Sequence, residues 1–294
     1  MKQNVLIIGA GEIGTAISKL LAGIDDTEIA LYDVDEELCS SDEDLLTLLR
    51  RADFVFICVP SGAIGDCLPG LKKHLKPKTI IISLTKGICP KSKKFTGELL
   101  IENFGEERVA VLGGPMLSEE IIQGFPTRAA IGSTKETFEK VAGLFNDTKL
   151  TLEHSEDILG ISIAGVLKNV YAIGLSIADA LNLGADAKGV LNKLAISEMG
   201  RLVELLGGRL ETALGLAGVG DLVATANSPY SKNRELGRRI AKGEFDSMRS
   251  EGSDSLPLLI QRLSNKDIPE FLRTIESIVS DKTDAKSAIE KLLS

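Results

Sequence analysis

The residue whose position most strongly indicates chemistry is Lys168, the one charged residue in a long apolar segment. It lies at the centre of the run ISIAGVLKNVYAI, residues 161–173. Burying an unpaired ammonium group is costly, so a lysine there needs a charged partner or a catalytic task. Burial also lowers the pKa of a lysine toward the range useful for proton transfer. The alternative is a lysine whose ammonium group reaches past the apolar surface to solvent.

A second polar group stands in the glycine-rich segment GLAGVGDLVAT, residues 215–225. Asp221 in this segment is the candidate charge partner of Lys168. Thr225 follows four residues later, which places it on the same face of a helix as Asp221. Asn169, next to Lys168 in the chain, is a candidate to orient a substrate or the backbone.

Donors suited to a phosphate group follow in four consecutive residues, Ser231, Lys232, Asn233 and Arg234. Charged and amide donors of this kind hold phosphate oxygens well, although the same cluster is equally typical of an exposed cationic patch. Lys86 follows the apolar run TIIISLT, at the end of a predicted strand. Open α/β sheets bind ligands at such strand ends, so Lys86 is a candidate to place positive charge near a substrate carbonyl.

Histidine is the usual proton donor in carbonyl reduction, but this sequence has only His74 and His154. His74 stands among lysines on a predicted solvated helix face. His154 stands at the end of a predicted strand, where a loop or packing role is favoured over catalysis. Lysine is therefore the better candidate for the acid that stabilises a developing alkoxide.

The N-terminal segment carries a glycine motif of the type that binds dinucleotides. It comprises Gly9, Ala10, Gly11, Glu12, Ile13 and Gly14. The motif follows an apolar run and precedes a helical segment and a second strand, as dinucleotide binding requires. Its glycines permit a tight turn, close approach of a diphosphate and close helix packing, and the helix N-terminus favours the anion. The alternative is a glycine turn before an ordinary helix.

Asp33 ends the second predicted strand, 19 residues after Gly14. This is close to the spacing of about 20 residues expected for the acid that binds the adenosine ribose hydroxyls. The residues that follow are Val34, Asp35 and Glu36, with no arginine to accept a 2′-phosphate. The sequence therefore predicts NAD in preference to NADP, unless Asp33 is only a turn or helix-capping residue.

The composition excludes several other classes of function. The chain has 294 residues, a net charge of −8 and a pI of about 5.1, which argue against a general nucleic-acid binder. Trp is absent and only three Tyr are present, so stacking platforms for single strands are not expected. A phosphorylated small substrate remains compatible, because a cationic pocket can lie inside an acidic protein.

The cysteines indicate neither a metal site nor a disulfide framework. They are Cys39, Cys58, Cys67 and Cys89, with no CxxC pair and no clustered histidine. Cys58 lies in an apolar run and is predicted to be a buried, reduced thiol. The first apolar run begins almost at the N-terminus and leaves no room for a signal peptide, so a cytoplasmic protein is expected.

Through residue 154 the chain alternates apolar runs with segments of helical spacing. The runs are NVLIIG, EIALYD, FVFICVP, TIIISLT, VAVLGG, RAAIGS and KLTLEH. Such strands, separated by helices, predict a mainly parallel sheet covered on both faces. Residues 1–154 are therefore predicted to form a doubly wound Rossmann domain that binds the dinucleotide. Gly, Pro and Ser collect at strand ends, for example at Pro60 and Gly114, where these folds bind ligands.

Residues 155–294 are predicted to form an all-α domain that holds the substrate. Segments 157–183, 187–206 and 256–279 read as helices, and the polar run 250–255 is predicted to be a loop. The first helix is long and apolar, but Lys168, Asn169 and Asp179 interrupt it. It is therefore predicted to be a buried helix and not a membrane span.

These motifs, in this order, resemble the NAD-dependent glycerol-3-phosphate dehydrogenases over nearly the whole chain. The matching text includes GAGEIGTA (9–16), VPS (59–61), TKG (85–87), GGP (113–115), GFPT (124–127), LKNVYAI (167–173), GLAGVGDL (215–222) and SKNR (231–234). The resemblance implies reversible hydride transfer between NADH and dihydroxyacetone phosphate. It also implies that Lys168 is the general acid or base, that Lys86 assists at the carbonyl, and that Asp221 and Thr225 position Lys168 and the substrate.

The resemblance further implies the contacts of both ligands. The substrate would be bound by Lys86, Gly114, Lys168, Asn169, Asp221, Thr225, Ser231, Lys232 and Asn233. The NAD cofactor would be bound by Gly9, Gly11, Glu12, Ile13, Gly14, Asp33, Pro60, Lys86, Ser118 and Glu251, the last at the nicotinamide ribose. The resemblance also implies a homodimer that acts on a small phosphorylated substrate. It implies neither a nucleic-acid partner nor an integral membrane segment.

Several departures from the family pattern bear on the substrate. Lys232 stands where the family usually has arginine, which keeps the charge but loses bidentate phosphate geometry. The region 34–53 is shorter than is common, Ser118 replaces an alanine, and Leu194 stands where an arginine is common. Two alternatives therefore stay open: a related reductase or β-hydroxyacid dehydrogenase acting on another small carbonyl compound, and a non-catalytic dinucleotide sensor. The presence of both Lys168 and Asp221 argues against the sensor.

Overall fold

The computed structural model describes residues 2–245, 248–263 and 268–294. The N-terminal part alternates strands and helices. These are β1 (Gln3–Ile8), α1 (Glu12–Leu21), β2 (Thr27–Tyr32), α2 (Leu45–Arg51), β3 (Phe54–Ile57), α3 (Ser61–His74), β4 (Ile80–Ser83), α4 (Thr96–Phe104), β5 (Val109–Gly113), α5 (Ser118–Ile122), β6 (Thr127–Gly132), α6 (Lys135–Gly143) and β7 (Leu150–Ser155).

Within the described ranges the strands form one seven-stranded sheet in the order β2-β1-β3-β4-β5-β6-β7. All neighbouring pairs are parallel except β5 and β6, which are antiparallel. The predicted mainly parallel, doubly wound domain is therefore confirmed. Parallel order puts the carboxyl ends of β1, β3, β4 and β5 at one edge, where the loops that carry the candidate site begin.

The apolar runs of the strands are continuous because both faces of the sheet are covered. Leu6 and Ile8 lie in one buried cluster, whereas Val5 and Ile7 lie in another on the opposite face. Side chains alternate across a strand, so a strand buried on both sides must be apolar at every position.

The remaining chain is helical. Its elements are α7 (Ile158–Ala180), α8 (Gly184–Leu205), α9 (Leu210–Leu214), a π-helical turn (Leu216–Gly220), α10 (Asp221–Asn227), α11 (Lys232–Ala241), α12 (Glu251–Arg262), α13 (Glu270–Val279) and α14 (Ala285–Leu293). The predicted all-α second part is confirmed. The boundary near residue 154 stays a prediction, and β7 and α7 are joined there by two residues only.

The helix α7 is the element around which the second part packs. It contacts α8, α10, α11, α12 and α13, and it also contacts β5 and β6 of the sheet. In the part of the chain that the structure describes, α7 alone is long and apolar enough to cross a membrane. However, 94% of its apolar stretch of 18 residues is buried inside the protein. The buried helix expected from the sequence is what the structure contains.

Two local predictions near the C-terminus are wrong. The segment 256–279 was predicted to be one helix, but α12 ends at Arg262 and a separate helix begins at Glu270. The polar run 250–255 was predicted to be a loop, yet α12 begins at Glu251. The reason is a cap: Ser250 Oγ accepts from Ser253 N at 3.2 Å, and Ser253 Oγ accepts from Ser250 N at 2.9 Å. The serines satisfy the free amides of the first turn, so they begin the helix.

Candidate active site

The candidate site begins at Lys168, which projects from the middle of α7 and is buried. Lys168 Nζ lies 3.0 Å from Asp221 Oδ1 and donates a hydrogen bond to Thr225 Oγ1 at 2.8 Å. Thr225 Oγ1 in turn donates to Asp221 Oδ1 at 3.2 Å. The structure therefore brings together Lys168, Asp221 and Thr225, as the sequence predicts, although Thr225 lies 57 residues after Lys168. Lys168 is buried and does not reach past the apolar surface to solvent.

Lys86 approaches the same carboxylate from the sheet. It follows β4, and its Nζ lies 2.6 Å from Asp221 Oδ2 and 3.0 Å from the carbonyl oxygen of Gly114, just after β5. Asp221 is thus held between two ammonium groups, one on each oxygen. The α10 helix begins at Asp221 itself, directly after the π-helical turn, and such turns are frequent at functional sites.

The electrostatics of this cluster set the protonation states. Burial lowers the pKa of Lys168 and the charge of Lys86 lowers it further, whereas Asp221 raises it; the result is about 8. Burial alone would raise the pKa of Asp221, but Lys168 and Lys86 together bring that pKa below its ordinary value. The carboxylate therefore stays ionised at neutral pH, and Lys168 is an ammonium group that can lose its proton near physiological pH.

A chain of amides lies beside the charged cluster. Asn169 Nδ2 donates to the carbonyl oxygen of Lys86 at 3.3 Å, and Asn233 Nδ2 donates to Asn169 Oδ1 at 2.9 Å. Asn233 Oδ1 then accepts from Gly252 N at 3.1 Å. These contacts join α7, α11 and α12 to the loop after β4. Asn169 and Asn233 therefore fix the backbone around Lys86.

Glu251 closes the site from α12. Its Oε1 accepts from Ser61 N at 3.0 Å and its Oε2 accepts from Ser61 Oγ at 2.7 Å. Ser61 is the first residue of α3, and the residue before it, Pro60, offers no side-chain cap. Glu251 thus caps a helix of the sheet domain from the helical domain. Burial raises the pKa of Glu251, and the two hydrogen bonds from Ser61 oppose that effect.

The glycine motif has the shape that a diphosphate requires. Gly9 has φ +102°, and a Cβ there would lie 2.8 Å from the Cys58 carbonyl carbon, while a Cβ on Gly14 would lie 1.8 Å from the Gly9 oxygen. At Gly11, in contrast, a Cβ would meet open space, and Gly11 gives α1 no side-chain cap. Two glycines are thus needed for packing, and the third opens the helix N-terminus to a ligand.

Asp33 lies beside the cradle that residues 9–14 form. Its Oδ2 accepts from Ala10 N at 2.6 Å, and its Oδ1 accepts from Asp35 N at 3.2 Å. The carboxylate at the end of β2 is therefore next to the glycine turn, as the sequence predicts for the ribose-binding acid. The chain then forms a short 3-10 turn, Glu36–Leu38, before α2. The cradle and its acid fit a dinucleotide.

The remaining residues predicted to contact the ligands have less specific geometry. Ser118 is the first residue of α5, which packs against α1, and Ile13 packs partly against the core. Ser231 caps α11 by accepting from Arg234 N at 3.2 Å. Lys232 is exposed, and its Nζ lies 3.1 Å from Glu12 Oε1 on the first turn of α1. The predicted phosphate donor is thus paired with a carboxylate.

Both histidines lie outside the charged cluster. His154 Nε2 donates to the Ser133 carbonyl at 2.9 Å, and its ring stacks on Phe138 with centroids 4.7 Å apart. His74 is the last residue of α3. In the described ranges no group of three or more His, Cys, Asp or Glu is arranged to hold a metal ion, and all four cysteines are free. Burial raises the pKa of the Cys58 thiol to about 12.

Sequence reasoning missed three polar residues: one orients Glu251, and two hold α7, which carries Lys168, to its neighbours. Ser61 orients Glu251. Asp157 caps α7 through Gly160 N and also accepts from Arg209 N and Thr212 Oγ1. Glu198 accepts from Tyr171 Oη, three residues after Lys168, and from two amides of α13. Asp157 could have been predicted as a helix cap, since an acid precedes the apolar helix. The partners of Ser61 and Glu198 are remote in sequence, so their contacts could not.

Comparison with known proteins gives consistent matches along the chain. Residues 157–290 match the family model described as NAD-dependent glycerol-3-phosphate dehydrogenase C-terminus, and residues 32–139 match the model of the N-terminus of the same family. A curated protein of Moorella thermoacetica, named glycerol-3-phosphate dehydrogenase (NAD(P)+), is 33% identical over 83% of this chain and 79% of its own length.

Solved structures agree with the sequence matches. The crystal structure of glycerol-3-phosphate dehydrogenase from Coxiella burnetii has a TM-score of 0.88, 27% identity and 99% coverage of both chains. The glycerol-3-phosphate dehydrogenase of Plasmodium falciparum has a TM-score of 0.87 at 17% identity, covering 100% of this chain and 96% of its own, which shows the shared fold.

Proposed function

This chain belongs to the NAD-dependent glycerol-3-phosphate dehydrogenase family, and from that premise we propose that Lys168 is the general acid–base of a reversible hydride transfer between NADH and dihydroxyacetone phosphate. The observation that carries the proposal is the buried Lys168 ammonium group, 3.0 Å from Asp221 and with a pKa of about 8. An acid with a pKa near the working pH is the most efficient proton donor to a forming alcohol.

NADH held at the glycine motif and Asp33 would supply the hydride for the ketone carbon. Lys168 donates a proton to the oxygen as negative charge develops on it, and it takes that proton back in the reverse direction. Lys86, the second ammonium group on Asp221, adds positive charge near the same oxygen. Fixed charges in a buried site stabilise an oxyanion more than they would in water, because the medium around them screens little.

Asp221 and Thr225 act through Lys168. The carboxylate keeps two nearby ammonium groups in one buried site and balances one of their charges. Thr225 accepts one of the hydrogens of the Lys168 ammonium group, which leaves the group two further hydrogens for Asp221 and a substrate. This arrangement restricts the direction in which Lys168 can deliver a proton.

The phosphate end of the substrate is assigned to the first turn of α11. Ser231, Lys232 and Asn233 lie there, and Asn233 is connected through Asn169 to the backbone of Lys86. Gly114, whose carbonyl accepts from Lys86, is assigned to the wall of the same site. The distance between Lys168 and the start of α11 would then select for a short phosphorylated ketone.

The dinucleotide is assigned to the glycine motif, with Asp33 at the adenosine ribose. Pro60, Ser118 and Glu251 are assigned to further contacts, the last at the nicotinamide ribose. We propose a preference for NADH over NADPH, because Asp33 and the acids that follow it would repel a 2′-phosphate. We also propose that the protein acts in the cytoplasm as a homodimer, and sedimentation of the purified protein measures its oligomeric state.

The test is oxidation of NADH by purified protein with dihydroxyacetone phosphate. We expect turnover with NADH and the phosphorylated ketone, much less with NADPH, and much less with unphosphorylated dihydroxyacetone. Protein that binds NADH but does not oxidise it with this ketone would refute the substrate assignment. The other small carbonyl compounds considered above would then be tried, although the curated relatives do not favour them.

A further inference from the structure

Glu251 brings a carboxylate of the helical part to the carboxyl end of the sheet. Its two oxygens accept hydrogen bonds from the backbone amide and the hydroxyl of Ser61, at 3.0 and 2.7 Å. Ser61 begins α3, after the loop that follows β3. A Cβ built on Gly87, in the loop after β4, would lie 2.3 Å from Ser61 Cβ and 2.5 Å from Glu251 Oε2. The carboxylate is therefore fixed beside the adjacent ends of β3 and β4.

The contact between Ser61 and Glu251 lies between the glycine motif and the charged cluster. On one side, a Cβ on Gly9 would lie 2.9 Å from Val59 N, in the loop that leads to α3. On the other side, the backbone that packs against the carboxylate belongs to the residue directly after Lys86. A dinucleotide with its diphosphate at α1 and its hydride at the ketone must therefore bring its nicotinamide half past Glu251.

The charge of Glu251 distinguishes the two redox forms of the cofactor. The nicotinamide ring is neutral in NADH and carries one positive charge in NAD⁺. Asp221 balances only one of the two ammonium groups of Lys86 and Lys168, so this cluster alone would repel the oxidised ring. The N-terminus of α3 and the two hydrogen bonds from Ser61 favour the ionised form of Glu251. The second carboxylate thus offsets the surplus positive charge.

We propose that Glu251 raises the affinity of the enzyme for NAD⁺ relative to NADH, and that Ser61 is the positioning residue that holds its carboxylate in place. The inference rests on the proposed position of the dinucleotide and adds a selection between its two redox forms. NAD⁺ is the product of ketone reduction, so a site that favours NAD⁺ lets this product compete with incoming NADH. Ketone reduction then slows as the ratio of NAD⁺ to NADH rises.

The experiment compares the dissociation constants of the two redox forms, with no ketone present. NADH is followed by fluorescence titration, and NAD⁺ by its displacement of bound NADH. In Glu251→Gln the side chain keeps its shape and can still accept from Ser61 N, so little is removed besides the charge. We expect the dissociation constant of NAD⁺ to rise about tenfold relative to that of NADH, as for one nearby, partly screened charge. Glu251→Ala should change the ratio in the same direction, and thermal melts show whether either variant is folded.

Two further variants separate the charge of Glu251 from other effects. Asp254→Asn removes a carboxylate from the same turn of α12, but this carboxylate pairs with Arg249 at 2.7 Å near the surface, so the ratio should stay within about twofold of the wild type. Ser61→Ala keeps the charge but loosens its position, so it should shift the ratio in the same direction by less. In the Glu251→Gln background Ser61→Ala should not shift the ratio, because Ser61 acts through that charge.

Two results would overturn the inference. One is a Glu251→Gln variant in which both dissociation constants are intact or weakened by the same factor. The other is a ratio that changes as much in Asp254→Asn as in Glu251→Gln. Neither depends on turnover: a protein that oxidises NADH with dihydroxyacetone phosphate but gives either result keeps the proposed function and loses this inference. A protein that shows the expected ratios but ignores the ketone keeps this inference and loses the proposed substrate.

Discussion

Asp221→Asn tests the electrostatic arrangement around Lys168 most sharply. Asparagine keeps the shape of the side chain but removes the charge that lies between Lys168 and Lys86, at 3.0 and 2.6 Å. Removing one partner of a buried ion pair costs about 3–5 kcal/mol, because the remaining charge is buried without compensation. Here two ammonium groups lose the same partner, so we expect a loss of unfolding free energy at the upper end of that range.

The same substitution should move the pH dependence of catalysis. Attraction between unit charges about 4 Å apart is about 4 kcal/mol at an effective dielectric constant near 20. One pKa unit corresponds to about 1.4 kcal/mol. Ketone reduction needs protonated Lys168, so in the wild type kcat/KM should fall as the pH rises through the pKa of about 8. In Asp221→Asn that fall should come at least about 2 pH units lower, after allowance for relaxation and solvent.

The assay is kcat/KM for dihydroxyacetone phosphate against pH, for the wild type, Asp221→Asn and the control Asp179→Asn. Asp179 lies on the same helix as Lys168 but pairs with Lys188 at the surface, where an ion pair is worth about 0–1 kcal/mol. Titration of the substrate phosphate affects all three proteins equally. An Asp221→Asn profile that falls at the same pH as the wild type, with unchanged unfolding free energy, would refute the reasoning.

Three further predictions concern the cofactor cradle and the helical core. Asp33→Gly should weaken NADH binding and narrow the gap to NADPH; an unchanged ratio of the two dissociation constants would remove Asp33 from ribose recognition. Gly11→Ala should weaken NADH binding with an unchanged melting temperature, because the added methyl group meets open space. Gly9→Ala should lower the melting temperature, because its methyl group would lie 2.8 Å from the Cys58 backbone. If both variants melt like the wild type, the packing argument for Gly9 fails. Glu198→Ala leaves the buried Tyr171 hydroxyl and two α13 amides without their acceptor, so chemical denaturation should show a loss of about 2–4 kcal/mol; a loss below about 0.5 kcal/mol would contradict this.

Much of the fold could be predicted because each strand is buried on both faces. Runs such as that of β3, Phe54–Ile57, are apolar at every position, and this pattern leaves few alternatives. The break between α12 and α13 was not predictable in the same way. Both segments carry helical periodicity, and the serines around residue 250 favour a loop until their capping hydrogen bonds are seen.

The charged centre of the site was also accessible from sequence, for a physical reason. An ionised residue inside an apolar helix is costly, so Lys168 required a partner, and Asp221 was the carboxylate in a comparable setting. The exposed pairing of Lys232 with Glu12 carries no such penalty. Ser61 is buried, but its hydroxyl is uncharged and its partner Glu251 lies 190 residues away in the chain. Both pairings therefore needed the structure.

The central claim, that Lys168 donates the proton, is tested most directly by the turnover of Lys168→Ala. We predict that NADH oxidation with dihydroxyacetone phosphate falls by at least about 100-fold, the usual contribution of a positioned acid, while the dissociation constant for NADH stays within about twofold of the wild type. An added primary alkylamine should restore part of the rate. Turnover within about tenfold of the wild type, with NADH binding intact, would contradict the claim and move the acid to another residue.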